Sequence, residues 1–484
     1  MTTKHVHAIV IGAGMAGIAM GVSLRKAGIN DFVILEKGDD VGGVWHWNHY
    51  PGLTCDVPSH LYQYSFAPKP DWSRLFATGP EIQRYHRAVA EDFGLMPHVE
   101  TNAEVVSAVY SDGGWDVETA TSQKYRTDFL ISATGVLHHP AIPDIDGLES
   151  FDGPVVHTAR WDDDLVTDGK RIAVIGTGST GVQVVSALQS GAAQVTHFTR
   201  TPQWILWGPM DVQQPKIVGS VLGRVPFANK LLYRGLLEGS GILADITTRK
   251  TWRRTVAQNA ARVQLLRVRN RQLRRKLTPD YEPFCKRQVV SGAYYTAVQQ
   301  RNVELVDTGI ERVTENSIVT ADGRDRKFDI IVLATGFQAH NYMRPMNLVG
   351  RDGLTIDDAW AKGPRGYRMT AIPGFPNFFT LLGPNSPTGS VSLQFTAELT
   401  SRYIIQIMKR FRRGEFTAIE PTQEAADEFN DEVREAIGPT IWNTGGCNSW
   451  YQNEDGTIDL WPWDRKTMAK MLSTPDDRHY HFTR

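Results

Sequence analysis

The sequence predicts an α/β protein built from two Rossmann-like dinucleotide-binding domains, one inserted within the other. Three observations carry this expectation. A glycine-rich turn between an apolar strand and a helix occurs twice, in HVHAIVIGAGMAGIAMGVSLRKAG from His5 and in KRIAVIGTGSTGVQVVSAL from Lys170. Each turn is followed by a second short strand that ends on a charged residue. Two apolar strands closing on Ala-Thr-Gly, TDFLISATGV and FDIIVLATGF, bracket the second turn, as expected where a chain leaves one sheet and later returns to it.

The first turn holds Gly12, Gly14 and Gly17. Glycines at this spacing permit a tight turn, close approach of backbone to a pyrophosphate, and close packing of helix on strand. The following strand, DFVILEKG, delivers Glu36, whose carboxylate can accept hydrogen bonds from ribose hydroxyls. The second turn holds Gly176, Gly178 and Gly181, and its next strand delivers Arg200. Glu36 and Arg200 each lie 24 residues past the first glycine of their own turn, so equivalent positions carry opposite charges. A carboxylate there repels a 2′-phosphate and a guanidinium pairs with it. The first fold therefore suits FAD or NAD, and the second suits NADPH.

The expected domains are residues 1–145, the first part of an FAD-binding domain; residues 146–336, an NADPH-binding domain with a helical insert at about 205–280; and residues 337–484, the second part of the FAD domain with the C-terminal region. The stretch FDGPVVHTARWD, Phe151 to Asp162, follows neither helical nor strand periodicity and reads as an interdomain connector. Arg249 to Lys276 is rich in Arg and Lys and contains no acid. It reads as the solvated face of a stretch of helical character. Without aromatic interleaving it offers no nucleic-acid stacking platform, and a weak contact with an anionic membrane surface is compatible with it.

The totals agree with a multidomain globular protein. The 484 residues exceed one ordinary core, and 41% hydrophobic and 22% charged residues are average values. A net charge of −1 gives no overall attraction to nucleic acid or acidic lipid. No run reaches the roughly 18 apolar residues of a membrane span, and the N-terminus enters its first strand without a signal-peptide layout. The expected location is cytoplasmic. Cys55, Cys285 and Cys447 are far apart and odd in number, which predicts three reduced thiols and no metal site.

Taken together, these residues resemble the type I Baeyer–Villiger monooxygenases, relatives of the flavin-containing monooxygenases. The connector matches that family's FxGxxxHxxxW[P/D] fingerprint at Phe151, Gly153, His157, Trp161 and Asp162. GGVWHWNHYPGLTCDVPSHLYQYSF is similar to its FAD-side segment, and PFCKRQVVSGAYYTAVQQRNV resembles the segment that carries its catalytic arginine. The resemblance spans Val10 to about Pro387 and is weakest in residues 205–275 and over the last eighty or so positions.

The resemblance implies an FAD- and NADPH-dependent enzyme that uses dioxygen to insert one oxygen atom beside a ketone carbonyl through a flavin peroxide, giving an ester or lactone. It implies that Arg287 is the catalytic cation, that Asp56 orients it, and that His157 couples domain motion to catalysis. Further FAD contacts are implied at Val44, Trp45, Trp47, Tyr62, Val105 and Gln394. NADPH contacts are implied at Ser179, Thr180, Thr201 and Lys286, with Lys286 supplementing Arg200 at the 2′-phosphate, and Trp442 is implied to reach NADP or the substrate. The alternative is an N- or S-oxygenating flavin monooxygenase acting through the hydroperoxide; Trp161 and the Lys286-Arg287 pair count against it. Family members often read YPGARCD where this chain has YPGLTCD. A monomer or homodimer is expected, with no nucleic-acid partner.

Overall fold

The protein is described here by a computed structural model covering residues 3–453 and 455–484. Its centre is two sheets. The larger runs Asn347–Val349, Val105–Ser111, Gly114–Thr119, Lys124–Ser132, Lys4–Ile11, Phe32–Leu35 and Val99–Glu100, with Phe378–Thr380 also pairing Lys124–Ser132. The smaller is entirely parallel, in the order Val303–Val306, Gln194–Phe198, Arg171–Ile175, Ile330–Leu333 and Val155–His157. Strands from both ends of the chain build the larger sheet, and the smaller lies between them in sequence. Its central strands are buried on both faces, as parallel strands are, and read as unbroken apolar runs such as IAVI and IIVL.

The two folds repeat one device. Gly12 has φ +102° and Gly176 has φ +121°, values only glycine adopts without strain. A Cβ on Gly12 would meet the Ala133 carbonyl oxygen at 2.8 Å, and one on Gly176 would meet that of Ala334 at 2.2 Å. The two Ala-Thr-Gly strand ends therefore run directly against the two glycine turns. A Cβ on Gly17 or Gly181 would collide with the first glycine's carbonyl at 1.9 Å and 2.1 Å, so the third glycine seats the helix on its turn. His197, fully enclosed, braces the second turn through a 2.8 Å contact with the Gly176 carbonyl and a 3.0 Å contact with the Tyr294 hydroxyl. Burial lowers its pKa to about 4, so the ring is neutral and bonds at both nitrogens.

Both crossings between the sheets lie side by side. Ala141 N–H donates to the Gly336 carbonyl at 2.9 Å, and the Thr335 hydroxyl donates to the Ala141 carbonyl at 2.6 Å. Here the reading of Phe151 to Asp162 as a connector needs correction. Val155–His157 is an edge strand of the smaller sheet, with His157 in register with Leu333. Three residues are too few to show a strand period, and their pairing comes from a partner more than 170 positions away.

The expectation of three free thiols is also corrected. Cys285 and Cys447 form a disulfide with Cα atoms 6.0 Å apart, and only Cys55 is free and buried. The pair is separated by 162 residues, so spacing could not suggest it. The fold brings it together by seating the helix Ile441–Thr444 beside residue 285. Glu282 N–H donates to the Gly445 carbonyl at 2.9 Å, and a Cβ on Gly445 would lie 2.7 Å from the Cys285 sulfur.

The insert consists of the helices Lys216–Arg224, Pro226–Thr248, Trp252–Gln264 and Arg271–Lys276. Pro226 opens the longest of them at its first position, where a missing N–H costs nothing. No helix among the described residues is long and apolar enough to cross a membrane.

Candidate active site

A cavity of about 890 Å³ lies where the two folds meet. From the first fold its wall includes Gly12, Gly14, Glu36, Val44, Trp45, Trp47, Asp56, Tyr62 and Val105; from the second, Ser179, Thr180, Lys286 and Arg287; from the C-terminal part, Gln394 and Trp442. The structure thus brings most of the expected site residues together. Gly17, His157, Gly176, Gly178, Gly181, Arg200 and Thr201 do not line this wall.

The first fold offers a built cradle. A Cβ on Gly43 would approach the Gly14 Cα to 2.8 Å, so two glycines press together at the start of the helix Met15–Lys26 and leave backbone facing the cavity. Glu36 is buried; its two oxygens accept from the N–H groups of Ala13 at 2.7 Å and Gly38 at 2.8 Å, which fixes the carboxylate at the strand end. The Trp45 indole N–H donates to the Tyr62 hydroxyl at 3.0 Å, with the rings edge to face. Trp47 lies under the Arg160 guanidinium, 4.7 Å from ring centre to cation.

The far wall holds polar atoms without partners. The side chains of Thr388, Ser390, Gln394 and Tyr451 each bury a donor or acceptor that has no hydrogen bond among the described residues. All four line the cavity. Buried polar groups in native proteins are nearly always satisfied, so four orphans on one wall mark a surface shaped for a polar ligand. Ser392 caps the helix Leu393–Arg412, bringing Gln394 to its first turn.

Arg287 is the charged centre. Its guanidinium donates to Asp56 at 3.0 Å and to the Thr388 carbonyl at 3.2 Å, so it is tied to both parts of the larger fold. Its side chain keeps 36% of its accessible surface, on the cavity side, while Asp56 keeps 12%. The Asp56 carboxylate raises the arginine's pKa above its ordinary range and outweighs the opposing effect of burial. Burial pushes the Tyr451 phenol up to about 12, with Arg287 opposing.

Around the second glycine turn the geometry suits an anion. A Cβ on Gly178 would meet nothing within 4 Å, so the space before the helix Ser179–Leu188 is open, and its first turn holds no acid. Arg200 is exposed. Lys286 has its pKa lowered first by burial and then by the charge of Arg200, which places the two cations within mutual reach. The Thr177 hydroxyl donates to the Thr201 carbonyl at 2.8 Å and closes this turn.

His157 stands apart from the cavity, at the double crossing. It is buried; its Nδ1 accepts from Ala159 N–H at 3.1 Å, and its ring lies edge-on to Phe337, centroids 6.1 Å apart. Burial lowers its pKa.

Sequence reasoning missed several wall residues. Gln183 accepts from the Tyr50 hydroxyl at 3.0 Å and donates to the Thr54 carbonyl at 2.8 Å, linking the folds from mid-helix. Tyr451 lies in the C-terminal stretch where the motifs are weakest. Neither carries a local signal. No group of three or more His, Cys, Asp or Glu side chains suited to a metal occurs among the described residues.

Two dinucleotide folds sharing a cavity with a half-buried arginine at their junction define an oxidoreductase. Comparison with known proteins narrows the class. Residues 9–214 match the family described as pyridine nucleotide-disulphide oxidoreductase. The chain is 47% identical to an uncharacterized monooxygenase of Mycobacterium tuberculosis, over 100% of this chain and 97% of the relative. It is 39% identical to a Baeyer-Villiger monooxygenase of Streptomyces coelicolor, over 95% of this chain and 89% of the relative. Its structure is similar to cyclohexanone monooxygenase from Rhodococcus sp. Phi1 bound to NADP+, with TM-score 0.88, 28% identity and 100% of both chains covered. It is also similar to the OTEMO complex with FAD and NADP, with TM-score 0.88, 28% identity and 98% of each chain covered. The chain belongs to the Baeyer–Villiger monooxygenase family.

Proposed function

We propose that this chain is an FAD- and NADPH-dependent monooxygenase that inserts one oxygen atom of dioxygen beside a ketone carbonyl, giving an ester or lactone. The observation that carries this reading is Arg287, fixed by Asp56 and facing a cavity shared by both nucleotide folds. Residues 1–145 with 337–484 would form the FAD domain, and residues 146–336 the NADPH domain.

The cradle fits FAD. The turn at Gly12, Gly14 and Gly17 would take the pyrophosphate, Glu36 the ribose, and Val44, Trp45, Trp47, Tyr62 and Val105 the flanks, while the orphaned amide of Gln394 would meet the ring. For NADPH, the turn at Gly176, Gly178 and Gly181 with Ser179, Thr180 and Thr201 would take the pyrophosphate. Arg200 and Lys286 would hold the 2′-phosphate, and Trp442 would close the nicotinamide side. When bound, FAD reduced by NADPH would supply the chemistry that activates dioxygen, the source of the inserted oxygen atom. The chain's own part is electrostatic. Arg287 is positioned before reaction, charged at any working pH, and set against the negative charge that grows on the carbonyl oxygen. Asp56 holds the guanidinium in place, and the partial burial of the pair strengthens the attraction.

The test is product analysis with cyclic, linear and aryl ketones, run beside an amine and a sulfide. One ester or lactone per NADPH consumed is expected. Oxidation of only the amine or sulfide would replace this reading with the N- or S-oxygenating one.

His157 would act at a distance, as the packed joint of the two crossings. His157→Ala is expected to retain bound FAD and to slow turnover, with kcat and KM changing together as they do for hinge residues away from the chemistry. Turnover equal to wild type, with FAD retained, would remove His157 from the mechanism.

A further inference from the structure

The helical insert has a surface that the proposed reaction does not use. Of the twenty large hydrophobic residues exposed among the described residues, fourteen lie between Trp207 and Leu266. Ile217 is 72% exposed, Phe227 71%, Trp252 71% and Leu266 64%. They sit on successive helices that pack on one another, so they belong to one lobe. A soluble surface scatters such residues singly; a concentration like this marks a contact site.

The same lobe is strongly basic. Lys216 to Lys276 contains fifteen Lys and Arg and two acids, Glu238 and Asp245, a net +13. Because the whole chain carries −1, the remainder carries −14. Some of these cations are used internally, as Arg262 with Glu282 and Lys276 with Asp307. Arg224, Lys230, Arg234 and Lys250 are exposed and form no ion pair among the described residues. Along the helix Pro226–Thr248 the outward positions alternate in character: Phe227, Lys230, Leu231, Arg234. Long cationic side chains beside exposed aromatic and aliphatic ones suit a surface with an anionic plane above an apolar layer.

This charge argues against a second copy of the lobe as occupant, since two such surfaces repel. Nucleic acid would satisfy the cations and leave Ile217, Val221 and Leu231 against water. We propose that the helical lobe docks on the surface of an anionic lipid bilayer. The cavity gives the docking a use. The opposite side of the Pro226–Thr248 helix supplies Leu236, Gly239, Ser240 and Thr247 to the cavity wall, and Leu243 is both part of that wall and 38% exposed. Added Cβ atoms on Gly235 and Gly239 would touch nothing within 4 Å, so this partition is thin. Apolar solutes dissolved in the bilayer would then reach the cavity across one helix, a step that rests on the ketone reading, whereas the docking does not.

The test is co-sedimentation of the FAD-loaded protein with vesicles of pure phosphatidylcholine and with vesicles containing phosphatidylglycerol. Binding is expected only to the latter and should fall at least tenfold from 50 to 500 mM salt. Lys230→Glu with Arg234→Glu should abolish it, and Phe227→Ser with Trp252→Ser should weaken it at least tenfold. Both variants should keep bound FAD and wild-type turnover of a water-soluble substrate. Absence of binding to anionic vesicles at low salt would overturn the proposal, as would binding that neither variant alters. Equal competition by duplex DNA in the Phe227→Ser, Trp252→Ser variant and the wild type would reassign the surface to nucleic acid. Self-association that the variants disrupt, without vesicle binding, would reassign it to a second copy. Vesicle binding is read from pelleted protein, so it stands or falls independently of which substrate is oxidised.

Discussion

Arg287→Ala is expected to keep oxidising NADPH in the presence of oxygen while ester formation falls about 10²- to 10³-fold. The magnitude follows from roughly 3–4 kcal/mol for the loss of one donor to a developing oxyanion. Hydride transfer creates little new negative charge beside the substrate, so reduction depends less on this side chain. Insertion builds negative charge in a cavity whose other lysines, Lys37 and Lys286, are both disfavoured first by burial. Oxygen that is activated and not transferred should appear as hydrogen peroxide, measured against ester and NADPH in the same assay. The substitution also strands Asp56, whose side chain is only 12% accessible, so retained FAD and a rapid reductive half-reaction are the controls for folding. Asp56→Asn should show a milder form of the same uncoupling, because the arginine keeps its charge and loses its tether. An alanine variant that forms ester in proportion to NADPH consumed would falsify the role assigned to Arg287.

Arg200→Ala is expected to raise the KM for NADPH about 10- to 150-fold and to leave that for NADH nearly unchanged. A charge-assisted hydrogen bond contributes roughly 1.5–3 kcal/mol, and NADH lacks the phosphate that would receive it. The physical basis is the closeness of Arg200 to Lys286. Burial lowers the lysine's pKa, the charge of Arg200 lowers it further and Asp280 opposes them; a bound 2′-phosphate would relieve the repulsion between the two cations. Lys286→Ala should therefore produce a similar but smaller coenzyme effect, and the two losses should not add, because each cation's contribution depends on the other. Equal losses for both coenzymes would show that Arg200 acts on the fold and not on the phosphate. Coenzyme affinities from fluorescence quenching give the same answer without reliance on turnover.

Much of this protein was legible because its information is short-range. Gly12, Gly14 and Gly17, and again Gly176, Gly178 and Gly181, are spaced by what one turn and one helix start require, so six residues suffice to read them. Glu36 and Arg200 are legible for the same reason, since each follows the short strand after its own glycine turn. The Ala-Thr-Gly strand ends could be recognised as crossings, and the structure adds that their carbonyls press on the two glycine turns.

What the sequence by itself determined is therefore the kind of fold and where its two glycine turns fall, because φ freedom and strand and helix periods are properties of neighbouring residues. The tertiary structure decided the rest. Arg287 and Asp56 meet across 231 positions, Cys285 and Cys447 across 162, and Tyr451 reaches the cavity from a segment with no motif. The same holds for the lobe, where no local pattern tells which apolar residues remain uncovered. Burial is set by what packs on a side chain from elsewhere in the chain, and no local pattern contains that.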